Sequence, residues 1–371
     1  MRAPSLTLSA ILAPENNNFG AIRLAMALAV LVSHSYWLVT GQTTAEPLHS
    51  WTGHSLGEHA VQVFFFLSGV VVARSLFTHR SLLDYAISRI ARIFPALIVC
   101  VLLTAIVLGP IATSLPPALY FTDTGLPLYI AKTLSLSTGS APLPGVFTTN
   151  PAPNYVNLSL WTLKYEVICY GLLAAFGLVY MRFPALKNLL TAALAVLVAV
   201  IFIGTPKPLE TYTALDNIRY FVLYFSTGTL AYLLRDRIVL TWLALPPLFF
   251  IFAMALGTRF AELSTALCLG YATLLVAALP LTSVRRLTNA EDYSYGIYIF
   301  ACPIQQLLAA QLPGASPLAN SLLALGVVLP LSILSWRLIE RPAMQRRHRL
   351  IDAIRTLSIT RKFTTPSFAA K

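Results

Sequence analysis

Apolar residues in this chain fall into ten stretches of 18 to 22 residues, separated by shorter polar segments. A helix needs about 20 mostly apolar residues to cross the hydrocarbon core of a bilayer. The pattern therefore predicts an all-α, polytopic membrane bundle of about ten transmembrane helices. The predicted spans are 19–39, 59–78, 94–112, 159–180, 187–204, 216–234, 238–256, 260–280, 292–312 and 317–338.

Composition agrees with this interpretation, because 57% of the residues are hydrophobic and only 11% are charged. That apolar share exceeds the average of soluble domains. The first 18 residues lack a charged segment followed by a sufficient apolar core, so we expect no cleavable signal. The cysteines lie in apolar runs without paired spacing, which predicts neither a disulfide framework nor a metal site. They are Cys100, Cys169, Cys268 and Cys302.

The distribution of basic residues predicts how the chain is oriented. The net charge is +12, but the basic residues are not gathered on one soluble segment, so we expect no nucleic-acid partner. Both termini and every second loop hold all but five of the 26 lysines and arginines. Cytoplasmic loops carry such an excess. We therefore predict that the protein lies in the inner (plasma) membrane with both termini in the cytoplasm. The five on the other side are Lys132, Lys164, Lys207, Arg219 and Arg259.

Ionisable residues inside predicted spans are the first functional candidates, since they are costly in hydrocarbon. Arg23 and His34 are eleven residues apart in the first span, on one helical stripe and about 16 Å apart along the axis. Glu166 in the fourth span is predicted at a depth similar to that of His34. A carboxylate there would orient the imidazole as a general base. Two structural alternatives stay open. Arg23 and His34 could be a snorkelling and a packed side chain, and Glu166 could pair with Arg23 or Lys164.

Other candidates are polar or aromatic residues that each have a structural alternative. Arg89 and Arg92 share one helix face, which suits a phosphate clamp as well as the excess of cytoplasmic charge. Ser68, with Gly69, lies mid-span and suits close helix packing. Trp161 and Tyr165 suit an interfacial aromatic pair. The segment 113–158 contains seven prolines and is predicted to be an external lid.

The chain contains six short motifs: Asn17-Asn18-Phe19-x3-Arg23 with His34, Phe64-Phe65-x2-Ser68-Gly69, Asp84-Tyr85-x3-Arg89-x2-Arg92-Ile93-Phe94-Pro95, Leu160-Trp161-Thr162-Leu163-x-Tyr165-Glu166, Tyr293-Ser294-Tyr295-Gly296-Ile297-Tyr298 with Pro303, and Ile339-Glu340-Arg341-Pro342. Taken in this order, they resemble the acyltransferase-3 family of bacterial membrane O-acyltransferases. The resemblance covers residues 1–340 as a transmembrane domain, leaving 341–371 as a basic cytoplasmic tail against anionic headgroups. The subset that modifies rhizobial nodulation factors and exopolysaccharides is the most similar. Two positions depart from the family pattern: Ala301, where many members have histidine, and Lys164, where proline is common.

The resemblance implies acyl transfer, usually of acetyl from acetyl-CoA, to a hydroxyl of a carbohydrate or a lipid-linked carbohydrate. Acyl-CoA would be a co-substrate from the cytoplasm, with no permanently bound cofactor. We expect His34, Glu166 and Arg23 to be catalytic. The donor would contact Arg89, Arg92, Arg23 and Ser68. The acceptor would contact Trp161, Tyr165, Tyr295 and Tyr298.

Two other functions stay open from the sequence. The ionisable residues of the spans could form a proton or substrate path in a transporter or flippase without acyl chemistry. An acyltransferase acting on a lipid or an antibiotic would use the same residues. The sequence also leaves open whether the acyl group is acetyl or succinyl, and whether transfer is direct or passes through an acyl-histidine.

Overall fold

The computed structural model describes residues 6–138, 141–201 and 212–363, and this part of the chain is helical. Its only β-type contacts are two isolated bridges, Thr7 with Val239 and Thr113 with Val146. The predicted all-α class is therefore confirmed. The α-helices are α1 (Leu8–Ile11), α2 (Phe19–Thr40), α3 (His49–Thr52), α4 (Leu56–His79), α5 (Leu82–Leu103), α6 (Gly109–Ala112), α7 (Pro117–Thr122), α8 (Gly125–Leu134), α9 (Leu163–Arg182), α10 (Lys187–Ile201), α11 (Ala214–Leu233), α12 (Leu245–Ala255), α13 (Ala261–Ala277), α14 (Thr282–Ala290), α15 (Ser294–Gln311), α16 (Pro317–Ser335) and α17 (Arg341–Phe363).

Six of the described helical stretches are long and apolar enough to cross a membrane. A seventh is obtained if α13 and α14, which are bent by 102° at their junction, are counted as one broken span. Each of the ten predicted stretches contains a helix, but ten crossings and cytoplasmic termini stay predictions. The six are Phe19–Thr40, Leu56–His79, Leu82–Ala112, Leu158–Arg182, Pro184–Ile201 and Pro317–Ile354.

The remaining predicted spans are shorter or more polar than a typical crossing. Helix α12 has only 11 residues and begins beside two prolines, Pro246 and Pro247. Helices α11 and α15 are 20 and 18 residues long and carry polar side chains along their length, among them Arg219, Gln305 and Gln306. The buried amides of Gln305 and Gln306 bond to backbone carbonyls of neighbouring segments. Such bonds satisfy polar groups that lipid could not.

Two long helices contain a π-helical turn. One, Thr104–Leu108, joins α5 to α6, and the other, Trp336–Glu340, joins α16 to α17. Such wide turns occur frequently at functional sites. The second turn directs the buried Glu340 carboxylate towards α5, where it meets Arg92.

Helix α4 lies in the middle of the bundle and packs against α2, α9, α11 and α13. Its closest neighbour is α11, because Gly69 faces the backbone of Phe225 and Gly228 faces the backbone of Phe66. A side chain at either glycine would collide with a carbonyl oxygen of the other helix. Small residues allow this approach, and the packing role considered for Ser68 and Gly69 therefore holds for Gly69.

The bundle has two ends that differ in charge. We call the end where α2 and α5 begin and α4 and α9 finish the basic end, since Arg74, Arg80 and Arg182 lie there. The opposite end carries Thr40, Ser55 and Leu158. The segment 113–158 lies at this opposite end, as far as it is described, where Asn150 and Gln306 of α15 bond to each other. Lys207 and residues 364–371 of the predicted tail lie outside the described residues.

The close approach of α4 and α11 can be tested by adding one methyl group. We expect Gly69→Ala to destabilise the protein by about 1–3 kcal/mol, because the helices must separate to admit the methyl. Thermal unfolding in detergent would measure this. The control is Gly326→Ala in α16, where the added methyl meets no atom within 4 Å. Equal melting temperatures for the two variants would contradict the packing.

Candidate active site

A first cavity opens among α2, α4, α5, α9 and α15. We call it the arginine cavity. Several of the predicted site residues line it, although they come from segments far apart in sequence. Its polar lining comprises Arg23, Ser68, Arg89, Arg92, Thr162, Glu166, Tyr170, Ser294, Tyr295 and Tyr298.

Arg92 is fully engaged by carboxylates. Its Nη2 lies 2.8 Å from Oδ2 of Asp292, and its Nη1 lies 3.4 Å from Oε2 of Glu340. The same Asp292 oxygen lies 3.1 Å from Nη2 of Arg23. Asp292 precedes α15, so its carboxylate joins the start of α15 to α2 and α5. The predicted phosphate clamp therefore contains one arginine that already has two acidic partners.

Arg89 differs from Arg92 although both were predicted as one pair. Its Nε is buried without a hydrogen-bond partner among the described residues, and its guanidinium lies 5.6 Å from the ring centre of Tyr170. Nε of Arg23 is likewise unsatisfied. A buried unsatisfied donor is costly unless a ligand or water completes it. Arg89, with one face of Arg23, is thus the cationic group of this cavity that can bind an anion.

Glu166 lies in the arginine cavity and accepts a hydrogen bond from the hydroxyl of Tyr170, four residues later on α9. Tyr170 Oη is also 3.3 Å from Oγ of Ser68 on α4. These three side chains form one connected polar group beside Arg89. The structure therefore brings together Glu166, Ser68 and Arg89, and it places Tyr170 between them.

His34 lies in a second cavity, towards the opposite end of the bundle. We call it the histidine cavity. The Nδ1 atom of His34 is buried without a hydrogen-bond partner among the described residues, which leaves the imidazole free to exchange a proton with a ligand. The other polar or aromatic lining residues are Ser33, Trp37, Thr43, Glu46, Ser55, Glu58, Trp161, Tyr220, Phe221 and Tyr298.

Glu46 is a buried carboxylate of the histidine cavity, with only 5% of its surface exposed. Its Oε2 accepts a bond of 2.6 Å from Ser33, next to His34 in sequence, and its Oε1 accepts one of 2.7 Å from the backbone of Leu56. It therefore fixes the loop between α2 and α4 over the cavity. No periodic pattern indicated Glu46, because this residue lies in a polar loop.

The expected contact between His34 and Glu166 is not present. The two residues line different cavities, and Glu166 is bonded to Tyr170 instead. Depth along a span was estimated from the helix ends, but contact also requires that the side chains point towards each other. Leu158–Thr162 forms a 3₁₀ turn before α9, which changes the rise and rotation on which that estimate rested.

The four residues predicted to contact an acceptor are divided between sites. Trp161 lines the histidine cavity, and Tyr298 lines both cavities. Tyr295 lines the arginine cavity, where its hydroxyl donates to the carbonyl of Ile93. Tyr165 is 3% exposed and packs on Phe221, so it lines neither cavity.

Four residues of the two cavities and their ion pairs were not predicted as site residues: Asp292, Tyr170, Thr162 and Glu46. For Tyr170, the four-residue spacing from Glu166 on a helix was an available signal.

A second charged group lies beside the histidine cavity. Nδ1 and Nε2 of His54 lie 3.2 and 3.0 Å from carboxylate oxygens of Glu58 and Glu262, at the starts of α4 and α13. Burial opposes protonation of this imidazole. The hydrogen bonds and charges of the two glutamates outweigh burial and raise the pKa of His54 to about 10. His54 is thus a protonated link between α4 and α13.

Within the described residues, no three His, Cys, Asp or Glu side chains converge as metal ligands. The four cysteines are unpaired thiols. The polar groups of both cavities are instead cations, an imidazole, hydroxyls and single carboxylates. Such groups suit an anionic ligand at one end and proton transfer at the other.

Comparison with known proteins agrees with this chemistry. A family model described as "Acyltransferase domain" matches residues 16–337. An "O-acetyl transferase" of Shigella phage Sf6 is 29% identical over 347 residues, covering 90% of this chain and 97% of the phage protein. "Nodulation protein 10" of Rhizobium leguminosarum bv. viciae is 27% identical over 373 residues, covering 91% and 95%. No solved structure matches the chain.

The engagement of Arg92 by two carboxylates predicts a stability difference between the paired arginines. Arg92→Gln should destabilise the protein by about 3–5 kcal/mol, because it leaves Glu340 and Asp292 without a shared cation. The matched control is Arg89→Gln, one helical turn earlier, which should leave the melting temperature in detergent nearly unchanged. If both variants melt at the same temperature, Arg92 does not hold the bundle together.

The link through His54 predicts a pH-dependent effect on stability. The folded pKa of about 10 exceeds the ordinary value of 6.5, so the stabilisation is full below pH 6.5 and declines until it is lost above pH 10. The destabilisation by His54→Gln should therefore be greatest near pH 6 and smallest near pH 10. Thermal unfolding across this range would measure it, with the exposed His79→Gln as control. A difference independent of pH would contradict a protonated His54.

Proposed function

The chain belongs to the acyltransferase-3 family and is an O-acyltransferase, and from this premise we propose that it transfers acetyl from acetyl-CoA to a hydroxyl of a cell-surface or secreted carbohydrate. The acetyl group is supported by the name of the phage relative, an "O-acetyl transferase". The carbohydrate acceptor, free or lipid-linked, is supported by the resemblance of the motifs to enzymes that modify exopolysaccharides and nodulation factors.

The observation that carries the proposal is the separation of two chemically different cavities. The arginine cavity holds Arg89, a half-buried cation with a buried, unsatisfied Nε and no ion pair to a carboxylate among the described residues. The histidine cavity holds an imidazole with an unsatisfied nitrogen. A donor that carries phosphates fits the first, and an acceptor whose hydroxyl must lose a proton fits the second.

The arginine cavity would bind the acyl-CoA. Arg89 and the free face of Arg23 would contact the phosphates or the pantetheine arm, whereas Arg92 would shape the cavity from its ion pairs. Glu166 acts on this side in our proposal. Its carboxylate, held by Tyr170, offsets part of the charge of Arg89 without forming an ion pair with it. The basic loops at this end predict that it faces the cytoplasm, where acyl-CoA is made available.

The histidine cavity would bind the acceptor, with Trp161 and Trp37 offering aromatic surface to a sugar ring. His34 accepts the proton of the acceptor hydroxyl while the oxygen of that hydroxyl attacks the thioester carbonyl carbon. The carbon–sulfur bond then breaks, and the CoA thiolate takes up the proton. The products are the O-acyl ester and free CoA thiol, and His34 is restored.

The proposed location is the bacterial inner membrane, with several crossings and both termini in the cytoplasm. Helix α17 adds exposed arginines at the basic end, among them Arg341, Arg346 and Arg349. We propose that this helix lies against anionic lipid headgroups, where each basic residue contributes about 1 kcal/mol near the surface.

The test of the proposed function is the release of CoA thiol from acetyl-CoA by membranes that contain the protein and a carbohydrate acceptor. His34→Ala should lower the rate by about 10²–10⁴-fold, since the positioned base is lost. The exposed His79→Ala should leave the rate unchanged. Thiol release by His34→Ala at the wild-type rate, with equal protein in the membrane, would remove His34 from the mechanism.

A further inference from the structure

The arginine cavity and the histidine cavity share part of their lining. Among the described residues, two line both cavities: Val61 of α4 and Tyr298 of α15. All the others belong to one side, including Arg89 on the donor side and His34 on the acceptor side. We call Val61 and Tyr298 the dividing wall.

Tyr298 is the polar member of the dividing wall and is firmly held. Its hydroxyl lies 2.6 Å from Oγ1 of Thr162, and either oxygen can be the donor. Its ring meets the ring of Phe64 edge to face at 5.8 Å. Tyr298 is only 8% exposed, so its hydroxyl acts in a site with little competing water. A hydrogen bond to a developing negative charge is strongest in such a place.

A thioester arriving through the arginine cavity and a hydroxyl arriving through the histidine cavity can react only where the cavities adjoin. We propose that the thioester carbonyl is held at the dividing wall, where Tyr298 donates a hydrogen bond to the carbonyl oxygen and Val61 contacts the acyl group. This inference rests on the proposed function and adds to it the donor that stabilises the oxyanion.

The proton arrangement at the wall is consistent with the observed bond. In the proposed arrangement the Thr162 hydroxyl turns from the Ser159 carbonyl, 3.5 Å away, and donates a hydrogen bond to Tyr298 Oη. Tyr298 in turn donates a hydrogen bond to the carbonyl oxygen. As the acceptor oxygen adds to the carbonyl carbon, the electron pair of the carbon–oxygen double bond moves onto the carbonyl oxygen. The double bond re-forms when the carbon–sulfur bond breaks. No proton leaves Tyr298, so the hydroxyl is ready for the next turnover.

The first experiment distinguishes a catalytic role of the Tyr298 hydroxyl from its structural hydrogen bond to Thr162. Tyr298→Phe should lower kcat by about 10²–10³-fold and change the KM for acetyl-CoA little, because the hydrogen bond to the oxyanion is lost. Thr162→Val breaks the same bond between the two side chains but leaves the tyrosine hydroxyl, so it should lower kcat by less than about tenfold. Equal losses of kcat in the two variants would overturn the role of Tyr298.

The second experiment tests where the acyl group lies. Val61→Ala should raise the ratio of kcat/KM for butyryl-CoA over acetyl-CoA by about tenfold, the scale on which added methylenes are discriminated. Val71→Ala enlarges only the arginine cavity, and Val63→Ala removes the same atoms from a position that lines neither cavity. Both should leave the ratio unchanged. This ratio does not depend on how much of each variant is folded.

The outcomes distinguish this inference from the proposed function. If the wild-type protein transfers acetyl but Val61→Ala keeps the wild-type ratio, or Val71→Ala shifts it equally, the acyl group does not lie at the wall. The proposed function then stands without this inference. If wild-type membranes release no CoA thiol from any of these thioesters in the presence of carbohydrate acceptors, both are overturned.

Discussion

The arrangement of this protein depends on the need to pair charges inside an apolar bundle. The Asp292 carboxylate meets both Arg23 and Arg92, and Arg92 also meets Glu340, so four helical segments converge on one set of ion pairs. Coulombic attraction is strong at low dielectric, but an unpaired member would carry a large desolvation penalty. These pairs fix the positions of α2, α5, α15 and the turn after α16. Arg89 takes no part in these pairs and lines the cavity beside them.

The helical class and the approximate places of the helices could be predicted because each depends on local apolar content. The stretches 19–39 and 59–78 correspond closely to α2 and α4. The stretch 238–256 contains a helix of only 11 residues, α12, because the paired prolines Pro246 and Pro247 favour a helix start at Leu245. The junction of α13 and α14 was also not apparent from hydropathy, because a bend of 102° is determined by backbone geometry at a short break.

The candidate site was predictable as a set of residues but not as a set of partners. His34, Arg23, Ser68, Arg89 and Glu166 all line a cavity, because ionisable or small polar residues in a span need such a place. The pairing of His34 with Glu166 was inferred from depth alone, and rotation about the helix axis decides contact just as strongly. Asp292 and Glu46 were missed for a different reason. Both lie outside the regular part of any long helix, and the structure draws each into the bundle by specific bonds.

The π-helical turn at Trp336–Glu340 has a consequence for how such chains diverge. A wide turn of this kind contains one more residue than a regular α-helical path between the same two points would need. Because each residue rotates an α-helix by about 100°, losing that residue would rotate all of α17 relative to α16. Glu340 would then turn away from Arg92. Insertions and deletions that a loop tolerates are therefore excluded here, and sequences that keep the acid must also keep the length of this turn.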